Sequence, residues 1–308
     1  VLLRSVCRPL VAALLVAAAL HVVPAGAQTT QNPSPMSDTT RPHPRAAESR
    51  PEGQRRPLSL GELFIPARAA NRRRAVMPLV VHFHGASWLI EQHVARGAPH
   101  AALVTVNLGA GSGRYATPFA DPTRFTALLT EAADAASTLV GRPVRWSGVT
   151  LTSFSAGYGA VRAILAHPAP SARITAVVLL DSLHASYAID GDPSAPRTKD
   201  PPVKVDDIEA FTRLAAEAAA GRVRFWVTHS EVYPGTYAST TETADALLAS
   251  VGLTRDAVLK RGPLGMQQLS EARRGGLHVL GFAGNSAPDH VDHLQALGEW
   301  LRTWKVAR

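Results

Sequence analysis

The sequence predicts an α/β fold, a mostly parallel central sheet with helices on both faces. Apolar runs alternate with helical patterns from about residue 58 to the end of the chain, the order that builds parallel sheets. Several runs are also near-continuous in Val, Leu and Ile, as strands buried on both faces are. Strands are expected at 75–83, 101–108, 149–154, 174–180, 223–228 and 277–282, and helices at 121–139, 156–167, 205–220, 241–251 and 290–304. The helix at 121 opens on Asp121-Pro122, a cap signal, and continues with Phe125, Leu128, Leu129 and Ala132 at helical spacing. Sheets of this kind gather reactive residues at the carboxyl ends of their strands, which gives every candidate below a test of position.

The 308 residues are 46% hydrophobic and 18% charged, enough apolar material for one sizeable core. Residues 1–27 read as a secretory signal. Arg4 and Arg8 give a positive start, Leu10 to Val23 an apolar run, and Ala25-Gly26-Ala27 a small-residue cleavage pattern. The expected location is therefore secreted or periplasmic, with no membrane span left after cleavage. The single cysteine, Cys7, lies in that segment. The mature chain is thus expected to have no disulfide and no cysteine-ligated metal, and cysteine-protease chemistry is excluded. Residues 28–57 hold six prolines and almost no large apolar side chains, a composition that reads as a disordered tether, so one folded domain is expected over 58–308. The formal charge of +8 is scattered. Its small clusters, Arg55-Arg56 and Arg72-Arg73-Arg74, read as solvated flanks, and no nucleic-acid partner is expected.

The strongest local signal is Val149-Thr150-Leu151-Thr152-Ser153-Phe154-Ser155-Ala156-Gly157-Tyr158-Gly159-Ala160. A β-branched strand runs into Ser-Phe-Ser-Ala-Gly and then into a helical pattern. This resembles the nucleophile elbow of the α/β-hydrolase superfamily, with Ser155 as nucleophile and Ser153 where the usual pattern has Gly. Read without the resemblance, Ser155 is a helix-capping serine. Upstream, Leu79-Val80-Val81-His82-Phe83-His84-Gly85-Ala86 is an apolar strand ending in His-Gly, similar to the start of the superfamily's oxyanion loop. The resemblance assigns the two oxyanion donors to the backbone N–H groups of Ala86 and Ala156.

The same resemblance expects a histidine just before the last helix and a carboxylate at an intervening strand end. Ala287-Pro288-Asp289-His290-Val291-Asp292-His293 offers His290, placed nearer the loop, with His293 as alternative. Asp181 directly follows the strand 174–180, the position that pancreatic-type lipases use; Glu231, one strand later, is the alternative. His82, His84, His184, His229, His290 and His293 also gather near this edge. With Asp181 and Glu231 they leave open a zinc-dependent reading, although no HExxH-like spacing is present. His84, Trp88, Tyr115, His184 and Tyr187 are candidates for shaping the pocket, and the four-proline segment 191–202 is a candidate cap.

The resemblance covers about residues 75 to 306 and is at superfamily level. It implies a hydrolase that cleaves small-molecule carboxylic esters through an acyl-enzyme on Ser155, with no cofactor or metal. A metal-dependent hydrolase and an inactive binding protein on the same fold are the rival readings.

Overall fold

The computed structural model describes residues 45–72, 75–167, 174–188 and 202–305. The expected signal at 1–27, most of the expected tether, Arg73 and Arg74, and nearly all of the segment 191–202 lie outside them. Among the described residues there is one ten-stranded sheet. Its strands in chain order are β1 (Gly53–Pro57), β2 (Glu62–Pro66), β3 (Val76–Phe83), β4 (Ala102–Val106), β5 (Arg145–Phe154), β6 (Ile174–Leu180), β7 (Arg224–His229), β8 (Asp256–Arg261), β9 (Gln267–Arg274) and β10 (Leu277–Phe282). Their spatial order is β1-β2-β4-β3-β5-β6-β7-β10-β9-β8. The six strands from β4 to β10 are parallel to one another. An antiparallel pair closes each side, β1 and β2 at one edge and β9 and β8 at the other.

The six parallel strands are those expected from the apolar runs, and their burial explains why the runs are continuous. Along β3, Leu79, Val81 and Phe83 enter one apolar layer and Val80 the other. Val177 and Leu179 of β6 likewise face away from Ala176, Val178 and Leu180. Side chains of successive residues point to opposite faces, so a strand covered on both sides must be apolar at every position. One layer is completed by the helices Pro122–Val140, Tyr158–Leu165, Glu209–Ala219 and Thr240–Ala249. The other is completed by Ser87–Gly97, Ala287–Gln295 and Leu297–Thr303. Gly97 and Gly298 let two of these helices touch: a Cβ on Gly97 would lie 2.2 Å from the Gly298 carbonyl oxygen.

The structure moves the start of the fold upstream of Leu58. Residues 45–57 are part of the folded body, and their ordering does not come from apolar burial. β1 pairs along β2, and charged side chains clamp the segment to the helix Ser87–Gly97. The Arg55 guanidinium donates to both carboxylate oxygens of Glu91, at 3.1 and 2.7 Å, and lies 4.6 Å over the Phe64 ring. Arg50 reaches the same carboxylate at 3.2 Å, and Gln92 donates to the carbonyl oxygens of Ala47 and Ser49. Arg45 donates to Asp292, and the Gln295 side chain accepts from the Ala46 N–H, which ties the segment to the helix Ala287–Gln295 as well.

Glu91 is only 1% exposed, so its charge depends on these arginines. Arg55→Ala is expected to cost about 3 kcal/mol of unfolding free energy, the lower end of the penalty for stranding a buried charge, because Arg50 remains. Urea denaturation of the two proteins measures it, and an unchanged midpoint would contradict the clamp.

Candidate active site

Ser155 follows β5 directly and opens a tight turn, Ser155–Gly157, from which the helix Tyr158–Leu165 departs. Its φ is 45°, a left-handed conformation that costs a non-glycine residue on the order of 1–3 kcal/mol and persists only where surroundings enforce it. Two contacts enforce it here. Gly157 lies so close to the end of β3 that a Cβ would come within 2.2 Å of the Phe83 carbonyl oxygen. Behind the turn, the Ser182 hydroxyl donates to the Ser155 carbonyl at 2.7 Å and stands 2.8 Å from the Ser153 hydroxyl. Ser153, at the position where glycine is usual, is thus fully buried and hydrogen-bonded.

Asp181 follows β6 directly, also at positive φ (44°). Its Oδ2 lies 2.6 Å from Nδ1 of His290. The Ser230 N–H and hydroxyl donate to the two carboxylate oxygens at 2.9 and 2.6 Å, and the Thr240 hydroxyl donates at 2.5 Å. Burial by itself would raise the carboxyl's pKa. The neighbouring His293, the bond to His290 and the Ser230 hydroxyl outweigh burial and hold it well below the usual carboxylate range.

His290 lies in the first turn of the helix Ala287–Gln295, not in a loop ahead of it. The helix starts earlier than expected because Ser286 and Asp289 form a reciprocal capping box and Pro288 occupies the first turn. The imidazole packs 4.5 Å from the ring of Phe154, the residue before Ser155. Its Nε2 is buried and makes no hydrogen bond.

The two alternatives lie elsewhere. Glu231 is exposed and accepts a long bond, 3.4 Å, from the Gly284 N–H. His293 sits one turn past His290 with Nδ1 at 2.7 Å from the Thr228 hydroxyl and its ring edge-on to Phe282.

The remaining histidines are largely committed to the core. His82 bonds the Thr152 hydroxyl at 2.7 Å and the His84 carbonyl at 2.9 Å, and burial lowers its pKa to about 3. His229 lies 3.0 Å from the Thr241 hydroxyl, and burial lowers it to about 4. His84, at φ 71°, bonds the Tyr115 hydroxyl at 2.8 Å, and burial lowers it to about 4. Among the described residues no three His, Cys, Asp or Glu side chains are grouped to hold a metal ion.

Ser155 and Ala156 open onto a cleft of about 490 Å³ that is also lined by His84, Ser112, Tyr158, Arg162, His184, Asp207 and Tyr237. Of the residues expected to shape the pocket, His84 and His184 line this cleft, and Tyr115, Trp88 and Tyr187 are not among its lining residues. Tyr115 is fully buried, its hydroxyl bridging His84, Asn107 and the Leu108 N–H. Trp88, in the first turn of the helix Ser87–Gly97, packs on the apolar layer. Tyr187 is buried with its hydroxyl donating to Glu242 at 3.1 Å.

Tyr158 and Tyr237, absent from the sequence candidates, supply the aromatic wall instead. The His184 ring stands 5.3 Å from Tyr158 and 5.4 Å from Tyr237. Burial lowers the His184 pKa to about 4 and raises that of Tyr237 to about 12, so these two rings are neutral at pH 7. Tyr158 was legible in principle, because it lies one turn beyond Ser155 on the same helix. Ala86 stands just past His84-Gly85 as the residue ahead of the helix Ser87–Gly97, half-buried, with Gly85 at φ 146° turning the chain.

The sheet order and the strand–turn–helix at Ser155 give the chain an α/β architecture, a mostly parallel central sheet with helices on both faces. No protein-family model matches the sequence, and no curated protein does. Similar solved structures include the poly(3-hydroxybutyrate) depolymerase LpqC from Bordetella parapertussis, at 13% identity and TM-score 0.45, covering 80% of this chain and 82% of that one. An arylesterase is similar at 18% identity and TM-score 0.42, covering 85% and 87%. A Pyrobaculum calidifontis esterase is similar at 13% identity and TM-score 0.45, covering 84% and 87%.

His82, His84, His93, His184 and His229 all have pKa values lowered to about 3 or 4 by burial. The unfolded chain therefore binds protons first as pH falls. The stability these groups preserve is complete above about pH 6.5 and is lost progressively down to about pH 4 for His84, His184 and His229 and to about pH 3 for His82 and His93, at up to about 1.4 kcal/mol per pH unit for each group. Asp181, also lowered, adds to the loss at still lower pH. Urea unfolding at pH 7.5, 6 and 5 should show a steadily falling midpoint. A flat profile would contradict burial of neutral histidines.

Proposed function

We propose that the chain is an exported serine hydrolase that cleaves carboxylic esters of small molecules through a Ser155–His290–Asp181 triad. One observation carries the reading: His290 Nδ1 is bonded to Asp181 at 2.6 Å while its Nε2, buried beside the Ser155 turn, has no partner. A buried polar atom left unpaired is costly and calls for an explanation, and a base waiting for a serine proton supplies one. Export rests on the signal-like residues 1–27 alone.

In this mechanism the ionised Asp181 fixes the tautomer of His290 with the proton on Nδ1 and stabilises the imidazolium when it forms. Nε2 takes the hydroxyl proton of Ser155 as Oγ attacks the ester carbonyl. The oxyanion is held by the backbone N–H groups of Ala86 and Ala156, each at the start of a helical segment where amide dipoles favour negative charge. His290 then gives its proton to the departing alcohol. Water, deprotonated by the same nitrogen, releases the acid from Ser155.

Labelling with a fluorophosphonate probe, alongside p-nitrophenyl acetate turnover, tests the reading. Both are expected in the parent protein and lost in Ser155→Ala. Asp181→Asn is expected to reduce kcat by about 10⁴-fold by favouring the wrong tautomer. An unlabelled, inactive parent protein would sink the mechanism.

A further inference from the structure

We propose that Arg162 makes the cleft selective for esters that carry a carboxylate one aromatic ring away from the scissile carbonyl. The inference rests on the serine-hydrolase reading and adds the substrate class.

Three observations support it. First, Arg162 is the one cation among the described residues lining the cleft, and it forms no ion pair with a described acidic side chain. Its Nη1 donates to the Asp207 carbonyl at 3.3 Å, and the guanidinium lies 5.4 Å over the Tyr158 ring. That leaves the other donors of the planar fork for an anion, with its orientation already set. The two lining histidines are neutral at pH 7, their pKa values lowered to about 4 by burial, so they do not share the role.

Second, the spacing suits a rigid planar linker. The Ser155 and Arg162 backbones are about two turns apart, roughly 10 Å along the axis of the segment, and the Arg162 guanidinium folds back over the Tyr158 ring, which shortens the span a substrate must bridge. Tyr158 stands between them on the same cleft wall, one turn from Arg162. A substrate with its carbonyl at Ser155 and its carboxylate at Arg162 must cross the faces of Tyr158, His184 and Tyr237. These rings, with centroids 5.3 and 5.4 Å apart from Tyr158 to His184 and from His184 to Tyr237 and inclined to one another by 57° and 81°, form an aromatic wall that an aryl ring meets by face and by edge.

Third, the acidic group on the cleft is already engaged. Asp207 accepts the Ser186 N–H at 2.8 Å and lies 3.9 Å from the Lys204 ammonium. Its charge therefore opposes an incoming carboxylate less than an unpaired aspartate would.

The test compares methyl 4-carboxybenzoate with its neutral isostere, methyl 4-carbamoylbenzoate, in the parent protein, Arg162→Gln and Arg162→Lys, with p-nitrophenyl acetate as a common reference. The parent is expected to favour the carboxylate ester by at least about tenfold in kcat/KM, mainly through KM. The ratio should fall to about one in Arg162→Gln and be partly kept in Arg162→Lys. Because each protein serves as its own control, a general loss of activity does not imitate the result. A parent that turns over p-nitrophenyl acetate but shows no preference overturns this inference alone, as does a preference that survives in Arg162→Gln. A parent that hydrolyses none of the three esters and takes no fluorophosphonate label overturns the underlying reading as well.

Discussion

The contact between Gly157 and the end of β3 is the constraint on which the rest of the site depends. No side-chain carbon fits between that residue and the Phe83 carbonyl, so the chain leaving β5 can turn sharply and lay its helix against the sheet. The left-handed backbone at Ser155, the support of its carbonyl by Ser182 and the direction of the helix all follow. That direction, in turn, puts Tyr158 and Arg162 on the cleft. At Gly159 the same helix meets the segment Ser112–Ala116, where a Cβ would lie 2.2 Å from the Ser112 carbonyl oxygen. A second glycine contact thus sets the opposite wall of the cleft.

The polar interior is organised around Asp181. Its carboxylate is fully buried yet accepts bonds from a histidine, two hydroxyls and a backbone N–H. Such a network is costly to leave partly satisfied, and the Asp181 carboxylate is fully bonded while Nε2 of its partner His290 stays open. The donors come from three separate places: the loop after β7, the start of the helix Thr240–Ala249, and the start of the helix Ala287–Gln295. Three elements that are distant in sequence are therefore held at one point by a single side chain.

The parallel strands were legible because burial on both faces makes them predominantly apolar, with the buried polar residues His82, Thr152 and Ser153 all hydrogen-bonded, and the turn at Ser155 was legible because small residues and a serine must sit between strand and helix. The antiparallel edges were not. β8 is exposed along most of its length, and the buried positions of β9 are Gln268, Ser270 and Ala272, so neither shows an apolar run. β1 is ordered by backbone pairing and by Arg55 on Glu91, which no composition rule detects. Asp181 and His290, each at a boundary between elements, are two sequence candidates that the fold brings to 2.6 Å of one another. The cleft wall was only half found: Tyr237 reaches His184 through the fold, while Trp88 and Tyr187, close to site residues in sequence, point their bulk into packing and into Glu242.

The clamp at residues 45–50 also bears on when the site comes into being. Arg45 meets Asp292 across 247 positions, and Asp181 meets His290 across 109. Contacts between such remote residues require closing long loops, which makes them slow to form. A growing chain that has already produced the Ser155 turn still lacks the imidazole, which arrives only with the final two helices. Completion of the polar network around Asp181 thus requires the helix Ala287–Gln295, the same helix that holds Arg45 through Asp292.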